Sequence, residues 1–365
     1  MATSHKFLPL KEWLTADKPL IIAGPCSAES ESQVLATAYE LAKIPQVKVF
    51  RSGIWKPRSR PNDFEGCGNI GLQWLKKVKE ETGLLTAVEV ANTKHVEECL
   101  KAGIDILWIG ARTTVNPFYV QEISDVLKGV DIPVMIKNPV NPDIQLWVGA
   151  IERLYNCGIR KMIAIHRGFY YYKKTNYRNH PMWEIPIELK RLLPDLPIIT
   201  DPSHICGNIE LLQETSQKAL DLEMNGLMIE THINPSKALS DAQQQITPAD
   251  LKTLLNKLII RSISGGQEFQ TKLEQLRSEI DKLDTVLIDI ISKRLKIVNE
   301  IGKYKKLNNI TILQQKRWEY IINDRAISAS KSDINQEFLK ELFESIHKES
   351  IRLQTDIMNE ENYDQ

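Results

Sequence analysis

This chain of 365 residues lacks most of the features that mark a specialised class of protein. No apolar run approaches the roughly 18 residues that a membrane-spanning helix needs. The opening stretch, "MATSHKFLPLKEWLTADKP", has no long apolar core of the kind a secretion signal carries. An excess of charge of either sign is also missing, since 47 Lys and Arg stand against 47 Asp and Glu. That removes any compositional argument for nucleic acid or an acidic membrane surface as partner. Cysteine is scarce: Cys26, Cys67, Cys99, Cys157 and Cys206 make an odd count with no CxxC pair. Free thiols in a reducing compartment fit that usage, so a cytoplasmic location is expected. Most of these thiols read as small buried hydrophobes. What remains is a soluble globular composition, 42% hydrophobic and 26% charged. The length suits one large domain plus a small one.

Up to about residue 262 the chain alternates between short apolar runs and longer amphipathic segments. The runs are "PLIIAG", "VKVFRSG", "LLTAVEV", "DILWIGA", "PVMIKNP", "KMIAIHRG", "PIITDPS" and "GLMIETH". Helical patterns such as "SQVLATAYELAK" and "KHVEECLKAG" lie between them. Continuous apolar strands alternating with helices predict a parallel sheet covered by helices. Eight such units predict an α/β fold of the (β/α)8 barrel type over 1–262. Periodicity alone leaves a doubly wound sheet open. "SISGGQE" then reads as a linker over 263–268. Beyond it, over 269–365, strand signals stop, and an all-α region of three helices is expected. Leu273, Leu276, Ile280, Leu283, Leu287, Ile290, Ile297 and Ile301 follow a 3-4-3-4 spacing on one long helix. So small a helical domain needs a partner chain to cover that seam, which predicts a homodimer or higher.

In a barrel of this type the active site lies where the strands end at their C-terminal side. The predicted ends carry Cys26, Arg51, Glu89, Arg112, Lys137, His166-Arg167, His204 and Glu230, with Lys56 and Asp241 close behind. Charges are excluded from such positions unless paired. Arg51, Lys56, Arg112, Lys137 and Arg167 on one mouth would repel one another without an anion, and a doubly charged phosphate offsets that repulsion. Cys26, His204, Glu230 and Asp241 form a mixed sulfur, nitrogen and oxygen set that suits a divalent transition metal with an open position.

The ordered motifs "GPCS", "KPRS", "GARTT", "IKNP", "HRG", "DPSH" and "IETH" with "LSD" resemble the type I 3-deoxy-D-arabino-heptulosonate 7-phosphate (DAHP) synthases over about residues 18–262. The resemblance implies metal-dependent condensation of phosphoenolpyruvate with erythrose 4-phosphate. It implies Cys26, His204, Glu230 and Asp241 as ligands of a divalent metal, Mn2+ first among several. Arg51, Lys56, Arg112, Lys137 and Arg167 then hold phosphoenolpyruvate, with Lys137 a candidate for proton transfer, while Arg58 and Ser59 belong to the phosphate site for erythrose 4-phosphate. A sister family makes an eight-carbon sugar acid from arabinose 5-phosphate. As the resemblance implies, "KPRS" (56–59) favours the heptulosonate product, because the sister family has Lys-Ala-Asn-Arg there.

The 3-4-3-4 register predicts an apolar residue at 294, where Arg294 stands. A buried arginine in a helical core is costly unless it meets an anion. An interhelical salt bridge or a break that sets register are the plain readings. Lys305 falls on nearly the same stripe, and Arg277 faces a different surface. The segment from "LEQLRSEIDKLDTVLIDIISKRLKIVNEIGKYK" to about residue 356 resembles the all-helical chorismate mutases. By position, Arg294, Lys305 and Arg317 would bind chorismate, Ser350 and Gln354 would contact it, and Arg277 would reach the partner's site in a dimer. Arg294, Lys305 and Gln354 are the catalytic candidates. The family's acid–x–x–Arg–Glu reads Gln314-Gln315-Lys316-Arg317-Trp318 here, without the two carboxylates. Two expectations follow: a bifunctional shikimate-pathway enzyme inhibited by prephenate or chorismate, or a barrel enzyme whose helical region only senses ligand and dimerises.

Overall fold

The computed structural model of the chain describes residues 5–14, 19–56, 64–262, 264–314, 316 and 334–360. It divides into two compact units, Met1–Ile263 and Ser264–Gln365.

In the first unit β1 (Leu20–Gly24), β2 (Val47–Arg51), β3 (Leu85–Val90), β4 (Ile106–Ile109), β5 (Val134–Lys137), β6 (Met162–His166), β7 (Ile198–Thr200) and β8 (Gly226–Glu230) pair in parallel in chain order. β8 returns to pair with β1, closing the barrel and excluding the doubly wound sheet. The strands are mostly apolar because both faces are buried, with charged or polar residues concentrated at their C-terminal ends. One parity, including Ile22, Val49, Trp108, Met135, Ile165, Ile199 and Met228, fills the interior. The other, including Ile21, Phe50, Leu107, Ile136, Ala164 and Ile198, packs against the surrounding helices. Burying a side chain of this size is worth roughly 1.5–3 kcal/mol, and both parities of each strand contribute. Leu14, with Leu10 and Trp13, packs onto the interior layer.

The helices start where side chains supply caps. Ser30 Oγ accepts from Gln33 N, Asn92 Oδ1 from His95 N, and Thr247 with Asp250 forms a capping box. Gly24 has φ 146°, and a Cβ there would strike the Arg51 backbone. That glycine lets β1 and β2 approach just below the site.

In the second unit the helix Gln267–Leu307 runs 41 residues and packs against the helix Gln336–Asn359. It starts at Gln267, two residues inside the expected linker. The contact uses Val298 and Gly302 against Ser350, Gln354 and Ile357, all buried. A Cβ on Gly302 would lie 2.9 Å from Ile357 Cδ1, so glycine permits the close crossing. This face lies one residue on from the expected seam. Leu276, Ile280, Leu283, Leu287, Ile290, Ile297 and Ile301 themselves are exposed. The intrachain packing thus selects a stripe roughly 100° from the apolar one, and the described residues of one chain leave the seam uncovered. The expected middle helix near 314–330 lies almost wholly outside the described residues.

Candidate active site

Period-two alternation explains how the site is assembled. On six of the eight strands the interior-facing residue of the last layer is followed, two positions on, by a polar group at the mouth. Val49 leads to Arg51, Ala87 to Glu89, Met135 to Lys137, Ile165 to Arg167, Ile199 to Asp201 and Met228 to Glu230. On β1 and β4 the strand ends sooner than expected. Cys26 follows β1 by two residues, and Arg112 sits in the short helix Ala111–Thr114. His204 likewise lies on the helix Pro202–Cys206 after β7.

Cys26, Glu230 and Asp241 form one cluster, with a donor atom from each lying within 4.8 Å of the others. Cys26 Sγ is 3.3 Å from Asp241 Oδ2, and His204 Nε2 is 3.7 Å from Glu230 Oε1. Donors that share one ion stand roughly 3–4.5 Å apart; three of the four predicted ligands, Cys26, Glu230 and Asp241, come together in this way, while His204 lies outside that group and borders it at Glu230. His204 Nδ1 lies 2.8 Å from Asp201 Oδ2. Burial holds the His204 imidazole below its ordinary pKa, against the pull of Asp201. A neutral ring with Nδ1 facing a carboxylate leaves Nε2 free to ligate. Burial, then Glu230, pushes the Cys26 thiol up to about 12. A metal must therefore displace that proton. Burial raises the Glu230 and Asp241 carboxyls, but His204 and Arg51 around the first, and Arg178 and His204 around the second, outweigh it and hold both low.

Beside the cluster a cavity of about 300 Å³ is lined by Lys56, Glu89, Arg112, Lys137, Arg167, Arg178, Asn179, His204 and Asp241, with Ala111 and Val140. Four of the five cations expected to hold phosphoenolpyruvate reach this wall. Arg51 is the fifth, and it lies beneath. Its Nη1 donates to Glu230 Oε1 at 3.0 Å and its Nη2 to the Cys26 carbonyl at 3.2 Å, while its guanidinium carbon sits 4.9 Å from the centre of the Trp108 ring. Lys56 Nζ donates to Cys26 Sγ at 3.1 Å, so it touches both cluster and cavity. Lys137 Nζ donates to Asp201 Oδ2 at 2.8 Å, which fixes it without removing it from the wall. Burial lowers the Arg167 guanidinium to about 10, still charged at neutral pH. Arg58 and Ser59 lie outside the described residues.

Several side chains at the site were given no role from sequence. Asp201, wholly buried, ties His204 to Lys137, and its signal was its place in "DPSH". Gln244 donates to Glu230 Oε2 at 2.6 Å and accepts from Arg178, which also donates to Asp241 Oδ1 at 2.9 Å. Glu89 is positioned by Trp108 Nε1 at 3.2 Å. Nothing in the sequence marks Arg178 or Gln244, because their partners come from distant loops.

In the second unit Arg294 Nη1 donates to Ser350 Oγ at 3.0 Å. Gln354 Nε2 donates to the Ser350 carbonyl at 3.1 Å, and its Oε1 is buried without a hydrogen-bond partner among the described residues. Lys305 Nζ donates to the Ile312 carbonyl at 2.5 Å, and burial lowers its pKa. Arg294, Ser350 and Gln354 are thus brought together. Arg277 is exposed, 17 residues from Arg294 and about 25 Å along the helix, so one chain does not bring it to this group. Arg317 and Trp318 lie outside the described residues.

Comparison with known proteins follows the same division. The model of the DAHP synthetase I family matches residues 13–261, and that of chorismate mutase type II matches residues 276–355. A phospho-2-dehydro-3-deoxyheptonate aldolase of Thermotoga maritima is 31% identical over 238 residues, covering 65% of this chain and 68% of its own length. A 2-dehydro-3-deoxyphosphooctonate aldolase of Geotalea daltonii is 26% identical over 270 residues, covering 66% and 92%. A crystal structure of the Thermotoga maritima DAHP synthase aligns with TM-score 0.60 at 28% identity, covering 69% of this chain and 75% of that one.

Proposed function

Because this chain belongs to the DAHP synthetase I family and carries a chorismate mutase type II domain behind the barrel, we propose a residue-level account of its two activities. The chain is a bifunctional shikimate-pathway enzyme, a DAHP synthase and a chorismate mutase. In our reading the barrel domain, 1–262, joins phosphoenolpyruvate to erythrose 4-phosphate on a divalent metal, Mn2+ first among candidates. The observation that supports this is the Cys26, Glu230 and Asp241 cluster, with His204 beside Glu230, meeting a cation-lined cavity at one mouth.

A divalent ion held there supplies a Lewis acid for the aldehyde oxygen. The chain's own groups do the rest. Lys56, Arg112, Lys137 and Arg167 hold the phosphate and carboxylate of phosphoenolpyruvate, and fixed cations stabilise its charged intermediates without reorganising. Holding C3 against the aldehyde turns a weak enol nucleophile into an effective one. Water must add at C2 before phosphate leaves. Glu89, the cavity carboxylate outside the metal set, is the group we assign to orient that water. Arg51 keeps Glu230 ionised and Cys26 in place. The test is consumption of phosphoenolpyruvate with erythrose 4-phosphate and then arabinose 5-phosphate, with and without chelator. We expect turnover of the first sugar, abolished by chelator and restored by metal. Turnover of arabinose 5-phosphate alone would place the barrel with the octonate enzymes.

The helical domain, 269–365 after the linker 263–268, rearranges chorismate in this reading. Arg294, Lys305 and Arg317 orient its carboxylates and ether oxygen, with Ser350 and Gln354, and Arg277 serves the partner's site in a dimer. The orphaned Gln354 Oε1 beside Arg294 supports a polar ligand there. Prephenate or chorismate bound at this site inhibits the condensation. A second reading, that this domain only senses ligand and dimerises, rests on Gln314 and Trp318 standing where the family has acids. Decay of chorismate with the whole protein separates the two.

A further inference from the structure

A metal ligand on a loop needs something to hold the loop. Asp241 has φ 47° and ψ 38°, the left-handed region that side-chain-bearing residues rarely occupy. Such a conformation persists only where its surroundings over-determine it. Cys26 and Asp241 are 215 positions apart, yet their side chains meet. The backbone between them is bridged by one buried amide. Gln245 Oε1 accepts from Cys26 N at 2.9 Å, and its Nε2 donates to the Ser240 carbonyl at 2.8 Å. Two more ties join the same loops. Ser27 Oγ and Ser240 Oγ are 2.6 Å apart, and Glu29 Oε1 accepts from Leu239 N at 2.7 Å. The other side of Cys26 is held too, because its carbonyl accepts from Gly53 N and from Arg51. The Cys26 peptide is therefore pinned at both ends, and Gln245 is the pin that also reaches the Asp241 loop.

We propose that Gln245 is a positioning residue for the metal site: its amide sets the Cys26–Asp241 separation and holds Asp241 in its left-handed turn, with the Ser27–Ser240 pair as a second tie. The inference rests on the metal reading given above. Gln245 touches neither cavity nor donor atoms, so it acts only through the backbone of the two ligand loops. Loss of such an outer partner typically weakens metal binding 10–100-fold.

Co2+ is the probe, because a thiolate bound to it gives a sulfur-to-cobalt charge-transfer band. The full chain is stripped of metal and titrated with Co2+, following that band and the dissociation constant. In Gln245→Met, of similar size but without hydrogen bonds, the constant is expected to rise 10–100-fold and the band to shift or weaken. Ser240→Ala, which loses only a hydroxyl, should show a smaller change of the same sign and keeps the test open should Gln245→Met misfold. Melting of metal-free Ser240→Ala should stay close to wild type, and weakened Co2+ binding in that variant then separates positioning from general destabilisation. A wild-type chain with no band overturns the metal reading and this inference together. A wild-type band with unchanged affinity in the variants overturns the inference alone.

Discussion

At the scale of single residues, burial and charge set the chemistry of the site. A thiol pushed up to about 12 is protonated in the metal-free protein at any ordinary pH. His204, held low, is neutral at pH 7 and has no proton to lose from Nε2. Metal loading therefore releases about one proton, and affinity should fall about tenfold for each unit of acidification between pH 8 and 7. Titration with Co2+ at several pH values measures this, and a flat profile would mean that Cys26 is not a ligand. Asp201→Asn strips a buried charge from His204 and Lys137 together. It should weaken metal binding about 10–100-fold and raise KM for phosphoenolpyruvate in the same variant. Arg51, Lys137 and Glu230 were legible in the sequence because each ends an apolar run with the wrong kind of residue. Asp201 and Gln244 were not, because a polar residue in a loop looks ordinary until its partner from another strand is known.

At the scale of elements, the strands were easier to read than the long helix. Each strand is buried on both faces, so its apolar run is its whole description. The helix Gln267–Leu307 has two competing stripes. Spacing identifies the apolar one, but the contact within the chain uses Val298 and Gly302 beside it. Space for a close helix crossing is set by a glycine, and hydrophobic periodicity does not register glycine. The exposed seam of Leu283, Leu287 and Ile290 should be covered by a second chain. Leu287→Asp is expected to shift sedimentation from dimer to monomer. Arg294→Ala removes the cation hydrogen-bonded to Ser350. It should lower kcat/KM for chorismate at least about 100-fold and leave the condensation rate unchanged.

At the scale of the whole molecule, two chemistries share one chain, and in the function proposed above both rely on cations placed before the substrate arrives. The barrel's candidate cations sit at or just beyond the ends of successive strands, whereas the helical unit's described candidates, Arg294 and Lys305, lie on one helix. A regulatory link between them predicts that prephenate slows the condensation in the intact protein, and that Arg294→Ala abolishes this inhibition. Equal inhibition of both proteins would show that prephenate acts elsewhere. The central claim is that Cys26 holds the metal of the first reaction and has no part in the second. Its most direct test is Cys26→Ser in the full chain, with both activities assayed on one preparation. The account predicts that metal-dependent consumption of phosphoenolpyruvate falls by orders of magnitude while chorismate decay stays at the wild-type rate. Condensation that survives at the wild-type rate, with the same response to chelator, would contradict it.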